Sequence, residues 1–323
     1  MHIKCLFEVS SDMIYYSGTR DIQLQHTAVA LGKFDGLHRG HQLLFDKLAY
    51  YQEKGYQTVI FTFDFHPANL LKHTRQNLIY SHDERLRLIR SLGVDVLIEF
   101  PFTEETAHML PDTFVREVLL KALGAEVIVV GDDFHFGYKR SGDVRFLKEH
   151  QDEYGCMIDS CEKLCTDDGQ EISATLIRSM IEAGDMERAR DLLGRPYSVT
   201  GKVVKGYGNG RSVDMPTANL IPCDDKLLPP DGVYVSETIL PETGQVLKSL
   251  TNIGCNPTIG DKLDRRIETF ILQYRGDLYE KEISVNLYSR LRGEIKFESL
   301  EKLCEQVRKD QEAAMTYFGE MGR

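Results

Sequence analysis

No stretch of this 323-residue chain approaches the run of apolar residues needed to span a bilayer. The longest apolar runs are short, as in residues 127–130, and the opening residues Met1 to Leu6 contain no signal-peptide core. A cytoplasmic protein without a membrane partner is expected. A basic excess is also missing. Residues 1–184 carry 19 Lys and Arg against 28 Asp and Glu, residues 185–323 carry 20 against 22, and the net charge is −11. Neither half suits sequence-independent nucleic-acid binding, so no nucleic-acid partner is expected. The seven cysteines are odd in number and scattered, which argues against a disulfide framework. Cys156, Cys161 and Cys165 lie close together, but no C-x-x-C pair exists and no histidine follows them. Buried strand thiols fit better than a metal site. Histidine stops at His150, so the second half works without imidazole.

What is present divides in two. The length favours two domains, and hydrophobic content of 42% with 28% charge describes an ordinary globular chain. From residue 29 to about residue 160, strand-like and helix-like segments alternate. Strands are expected at Lys4–Val9, from Val29, at Thr58–Phe63, Val94–Phe100, Val127–Val130 and Met157–Ser160. Helices are expected after Gly36, at Ser81–Leu92 and at Pro111–Leu123. That order predicts a Rossmann-like, doubly wound parallel sheet. From Tyr197 about six strand-like runs follow with no helix between them, then a helix from Ser299 to about Phe318. This predicts a six-stranded antiparallel β-barrel with a C-terminal helix, whose Leu300, Leu303, Cys304 and Val307 pack on the barrel. The expected domains are 1–184 and 185–323, with Asp185–Leu193 as a connecting helix and no Pro- or Ser-rich linker.

The run from Val29 to Phe45 carries the strongest signal. A strand breaks at Gly32 and Gly36 and resumes as a helix with Leu44, Leu48 and Tyr51 on one stripe. Such a turn gathers free N–H groups and a helix N-terminus, which suits a phosphate. His38 and His41 stand at that junction, three apart, where they face the same way. Two imidazoles there can stabilise charge that builds up at phosphorus. Half a metal site or polar surface are the alternatives, and the strand, glycines and helix together favour the phosphate. Asp64 and His66 end the next strand, where open α/β sheets bind ligands, although loop surface also explains them. Asp133 ends a later strand, followed by Phe134 and Phe136, which serve either a ligand ring or the core. Ser173 and Thr175 open a helix with Arg178 one turn on, a second anion site or a plain N-cap.

The barrel half has its own cluster. Gly206, Gly208 and Gly210 precede Arg211, without the spacing of a P-loop. Thr217 and Asn219 alternate by two, so they share a face on an extended chain. A hydroxyl and an amide oxygen can complete the shell of a Mg²⁺ held mainly by ATP phosphates, and a Thr–Asn turn is the plain alternative. A hydroxyl-directed kinase needs a base, and Glu268 is an odd residue inside an apolar strand unless it faces a site.

The segment from Gly32 through Phe34, Asp35 and Gly36 to His38, Gly40 and His41 resembles the HxGH motif as bacterial FAD synthetases carry it, with Lys33 where Asn is more common. Gly131 to Gly137 and Ile172 to Arg178 resemble two further elements of that family, with Ala174 replacing a second Ser. The glycine-rich turn to Arg211, Pro216–Asn219, Pro230–Tyr234, Asn252–Thr258, Glu268 and Leu291–Phe297 resemble the riboflavin kinase module, with Thr269 where Val or Pro is commoner. Together the resemblance covers nearly the whole chain and points to the bifunctional riboflavin kinase/FAD synthetase family. It implies ATP-dependent phosphorylation of riboflavin to FMN in the barrel, then adenylylation of FMN to FAD in the first domain. It implies Gly32, Phe34, Asp35, Ser173, Thr175 and Arg178 as ATP or phosphate contacts. Asp64, His66 and Asp133 become flavin or metal–phosphate contacts, and Gly206, Gly208, Gly210 and Arg211 the second ATP contacts. The partners implied are small molecules, namely riboflavin, FMN and ATP with Mg²⁺, and a weak homo-oligomer is compatible with it. A form with one relict half, or a non-catalytic flavin-binding regulator, are the rival readings. A cytidylyltransferase for an alcohol phosphate would leave the barrel unexplained.

Overall fold

Strands that are mostly apolar must be covered on both faces, and the first half of the chain is built around four of them. The computed structural model describes residues 13–64, 77–205, 217–240, 242–256 and 264–321. These fall into two compact units. Residues 13–64 and 85–173 form a sheet unit, and residues 77–84 and 174–321 form a barrel unit. The strand expected at Lys4–Val9, together with His66, Gly206, Gly208, Gly210 and Arg211, lies outside the described residues.

The strands of the sheet unit are β1 (Ile14–Ser17), β2 (Thr27–Leu31), β3 (Gln57–Phe63), β4 (Val96–Phe100), β5 (Ala125–Gly131) and, after a short β6–β7 hairpin (His135–Phe136 and Gly142–Asp143), β8 (Met157–Cys161). The sheet order is β1-β4-β3-β2-β5-β8 and every pairing is parallel. β2 is buried along its whole length. Val29 and Leu31 enter one core with Val59 and Phe61, while Ala28 and Ala30 enter another with Ile60 and Leu97. Helix α1 (Arg39–Glu53) covers the second core with Leu44, Phe45, Leu48 and Tyr51. The chain leaves β2 toward β3 and β4 on one side, and continues through β5 and β8 on the other. The order in which strands are added therefore reverses between β2 and β5, the place where open α/β sheets bind ligands.

Two longer helices follow, α2 (His82–Arg90) and α3 (Phe114–Ala122), with a single turn at Glu104–Ala107 between them. α2 starts at the expected capping box, with Ser81 N–H donating to Glu84 at 2.9 Å and Glu84 N–H to Ser81 Oγ at 3.3 Å. α3 is wound as a π-helix after one turn at Pro111–Thr113, within the helix expected at Pro111–Leu123. β1 and a further helix, α4 (Val144–Tyr154), were not marked by the sequence pattern.

The barrel unit begins with α5 (Ala174–Ala183) and α6 (Met186–Leu193). Six antiparallel strands follow: β9 (Tyr197–Val204), β10 (Thr217–Leu220), β11 (Gly232–Leu240), β12 (Gln245–Asn256), β13 (Asp264–Ile271) and β14 (Glu282–Arg292). They close in the order β10-β13-β12-β11-β14-β9. Closure gives every described barrel strand a neighbour on both sides. Helix α7 (Leu300–Met321) lies on the outside, its Ala314 and Phe318 packed with Val233, Val235, Leu250 and Tyr288. Arg292 holds it by a fork onto the buried Asp310, at 3.1 and 2.7 Å. Leu300, expected on the packing face, is 59% exposed, because the helix meets the barrel farther along its length. Among the described residues no helix is long and apolar enough to cross a membrane.

Since Val233, Val235 and Leu250 face α7, their neighbours along each strand face inward. Tyr234, Ser236, Thr238, Ser249, Thr251, Ile253, Ile267 and Thr269 are accordingly almost fully buried. Five of these inward positions are hydroxyls joined in a ladder: Thr238 to Ser249 at 3.0 Å, Ser249 to Ser236 at 2.9 Å, Ser236 to Thr251 at 2.7 Å and Thr251 to Thr269 at 3.0 Å.

Candidate active sites

In the sheet unit the turn from β2 to α1 is tightly folded. Phe34, Gly36 and Leu37 all have positive φ, at 49°, 75° and 43°. For Phe34 and Leu37 this is strained backbone, which the surrounding packing must hold in place. Phe34 does so by being fully buried, its ring folded back over Gly32, where a Cβ would stand 2.9 Å from it. Phe34 therefore acts through packing. Its ring lies 5.3 Å from that of His41, which also leans on Phe45 at 6.5 Å. His38 occupies the N-cap position of α1, and its carbonyl accepts from His41 N–H at 2.8 Å and Gln42 N–H at 3.2 Å. The two imidazoles stack with centroids 3.8 Å apart. Gly40 makes this possible, since a Cβ there would sit 3.1 Å from the His38 ring and 3.5 Å from the Ile172 carbonyl. The same distances place the backbone before Ser173 directly against the histidine turn.

Several charged groups surround this turn. Asp35 and Lys33 follow β2, and Arg140 follows the β6 strand on the β5 side. Burial lowers the Lys33 ammonium below its ordinary pKa, Arg140 lowers it further, and Asp35 opposes both. Lys139 and Arg140 carry positive φ of 53° and 60°, a second strained turn. Asp133 pairs with Lys163 at 3.4 Å and its side chain is exposed. Phe136 is buried in the core and Phe134 stacks on it at 5.6 Å, so this aromatic pair plugs the sheet end. One Asp64 oxygen accepts from Phe102 N–H at 2.9 Å and shapes its own loop. Ser173 is half-buried.

In the barrel unit Thr175 is exposed at the start of α5 and Arg178 is buried, donating to the Asn77 carbonyl. The main cluster lies on β10, β13 and β12. Register sets Asn219 opposite Glu268 and Asn252 opposite Glu268 on the other side. Three strands thus carry one row across the outer face, opposite the hydroxyl ladder. Thr217 joins it one step along β10, with Asn219 Nδ2 3.4 Å from Thr217 Oγ1. Asn219 is buried, and among the described residues its Oδ1 has no hydrogen-bond partner. Burial raises the Glu268 carboxyl above its ordinary pKa; Arg266 opposes this and Glu294 adds to it.

Comparison with known proteins decides the family. One family model, described as FAD synthetase, matches residues 21–176, and another, described as riboflavin kinase, matches residues 193–318. The chain is 32% identical over 301 residues to the bifunctional riboflavin kinase/FMN adenylyltransferase of Bacillus subtilis, covering 91% of this chain and 93% of that one. It is 33% identical over 296 residues to the protein of the same name from Escherichia coli, covering 90% and 92%. The chain belongs to the bifunctional riboflavin kinase/FMN adenylyltransferase family. A crystal structure described as a macrolide-efflux protein from Streptococcus pneumoniae superposes with a TM-score of 0.84 at 30% identity, covering 94% of this chain and 98% of that one. That description differs from the names of the curated relatives, while both family models describe flavin enzymes.

For the kinase half, the sequence marked Thr217, Asn219 and Glu268, and the register brings them together. It assigned no role to Asn252 or Glu294, although both stand in the quoted motifs. Their pairing with Glu268 depends on which strands become neighbours, and only barrel closure decides that. For the adenylyltransferase half, the two histidines and the Ile172 segment meet, and Lys33 with Arg140 form a cationic pair that the pattern did not single out.

Proposed function

We propose that the two reactions of this family are divided between these two clusters. In the barrel, the terminal ribityl hydroxyl of riboflavin attacks the γ-phosphorus of ATP, the bond to ADP breaks, and FMN leaves with the phosphoryl group. Glu268 takes the hydroxyl proton. Its raised proton affinity strengthens it as a base. Thr217 and Asn219 fit a hard cation: both offer oxygen, and the buried Asn219 Oδ1 has no partner among the described residues. A half-turn of that amide brings Oδ1 beside the Thr217 hydroxyl. Bound there, Mg²⁺ would neutralise phosphate charge. The row of Asn219, Glu268 and Asn252 across three strands is the observation that carries this reading.

In the sheet unit, an FMN phosphate oxygen attacks the α-phosphorus of a second ATP, and pyrophosphate leaves as FAD forms. His38 and His41 donate to the charge that develops at the α-phosphate and the leaving group. The turn N–H groups from Gly32 to Asp35, with Ser173, hold phosphates. Asp64 and Asp133 stand at strand ends on the flavin side. Together these roles make riboflavin, ATP and FMN the substrates. The boundary between the adenylyltransferase and kinase domains is proposed near residue 184, within the helical segment that opens the barrel unit.

Product analysis of single-site variants tests the division. Glu268→Gln should cut FMN formation by roughly 10²-fold or more. His41→Ala should still make FMN but convert it to FAD about 10²-fold more slowly. Undiminished FMN formation by Glu268→Gln would remove the base role, and undiminished FAD formation by His41→Ala would remove the histidine role.

A further inference from the structure

The chain beyond β14 takes an unusual path across the kinase cluster. Gly232, in the neighbouring strand β11, has φ of 153°, and a Cβ there would overlap the Arg292 carbonyl. Gly254 in β12 lies beside it, since Gly232 pairs with Ile253. A Cβ on Gly254 would overlap the Glu294 carboxylate and stand 3.5 Å from Asn252 Nδ2. Two glycines in adjacent strands thus form a trough through which residues 292–294 pass. The trough delivers one carboxylate, that of Glu294, to the Asn252 side of the Glu268 row. Glu294 lies close enough to Glu268 to perturb it electrostatically. It is exposed, and among the described residues it has no hydrogen bond or salt bridge.

The geometry of transfer gives this carboxylate a purpose. On one side of Glu268 stand Thr217 and Asn219, the proposed holders of Mg²⁺–ATP. In-line displacement brings the attacking oxygen from the side opposite the leaving group. The acceptor alcohol must then approach over Asn252, Gly254 and Glu294. Its chain carries several hydroxyls besides the one that reacts. A free carboxylate is an acceptor for such hydroxyls, and hydrogen bonds to a charged group are the stronger kind.

We propose that Glu294 is a specificity-determining residue of the kinase half, accepting hydrogen bonds from the non-reacting hydroxyls of the acceptor's polyol chain. This rests on the reading of Glu268 as the base. Glu294 selects a polyhydroxylated side chain over a plain hydroxyalkyl one, and Gly254 holds it in position by leaving room for its carboxylate.

The test compares riboflavin with a flavin whose side chain keeps only the terminal hydroxyl, in the full-length protein with ATP and Mg²⁺. The quantity read is the ratio of kcat/KM values for the two acceptors. In Glu294→Ala this ratio should fall roughly 10-fold or more, with KM for ATP unchanged. Glu294→Gln, which keeps an acceptor oxygen, should retain part of the discrimination. Gly254→Ala should lose it while leaving the Glu294 side chain intact. An unchanged ratio in Glu294→Ala, or equal losses for both acceptors, would overturn the proposal and leave Glu294 as a surface residue. Glu268→Gln separates the two ideas. If it abolishes FMN formation while the ratio is unmoved in Glu294→Ala, only the Glu294 role fails. If Glu268→Gln retains full activity, the base assignment fails and this role falls with it.

Discussion

Gly40 controls the histidine pair more tightly than its lack of chemistry suggests. Its missing side chain leaves the space into which the His38 ring folds, and the Ile172 carbonyl closes the other side. A methyl group there leaves the backbone intact but pushes the ring by a few tenths of an ångström. Gly40→Ala should therefore slow FAD formation roughly 10-fold while FMN formation is unaffected, as measured by product chromatography from riboflavin. The motif histidines and their glycine were legible in the sequence because they are contiguous. Glu294 was present in a quoted motif yet carried no assignment, since its meaning depends on Gly254, 40 residues earlier in the chain. Thiol chemistry supplies an independent check on packing. Burial pushes the Cys156 thiol up to about 11, and Cys161 is raised as well, whereas Cys165 is exposed. Alkylation near neutral pH should label Cys165 readily and Cys156 and Cys161 only after unfolding, as read by mass spectrometry.

Strand β13 shows how one element serves two environments. Glu268 faces the outer row, and the next residue, Thr269, faces the interior and bonds to Thr251 at 3.0 Å. Thr269 therefore extends the buried hydroxyl ladder and leaves the acceptor side untouched. Thr269→Val keeps the shape but removes one hydrogen bond, at a cost of about 1 kcal/mol, which corresponds to a few degrees in melting temperature. Kinase kinetics should be unchanged. The alternation that puts these neighbours on opposite faces was readable from the sequence. The identity of the inner face was not, because an inward row of Ser and Thr looks polar and only barrel closure buries it. The C-terminal helix shows the same limit. Its apolar stripe was visible, but Leu300 begins before the barrel surface is reached, and the anchor is Arg292 on Asp310.

The barrel unit includes a segment from far away in the sequence. Residues 77–84 pack within it, and Lys226 is the pin. Its ammonium, 1% exposed, donates to Glu84 at 2.6 Å, to the Ile79 carbonyl at 2.8 Å and to the Ser198 carbonyl at 2.7 Å. Glu84 in turn accepts from Thr200 N–H at 2.7 Å. Tyr80 and Tyr197 flank the cation at 4.7 and 4.4 Å. Removing one member of such a buried pair strands the other without solvent. Glu84→Ala in the full chain should lower unfolding free energy by about 3–5 kcal/mol, and adding Lys226→Met should restore much of it, as measured by denaturant titration. A fragment starting at residue 185 lacks Glu84 and carries the same defect.

Sequence alone determined the order of most elements, the alternating β/α grammar of the first half, the strand-only grammar of the second, and the short motifs that announce phosphate chemistry. These are local properties, written in periodicity, turn residues and contiguous spacing. Only the tertiary structure decided that Asn219, Glu268 and Asn252 form one row, that Gly232 and Gly254 open a trough for Glu294, and that residues 77–84 belong to the barrel unit. Each of those depends on which distant strands pair and in what register. That choice is made by burial over the whole unit, and no window of sequence contains it.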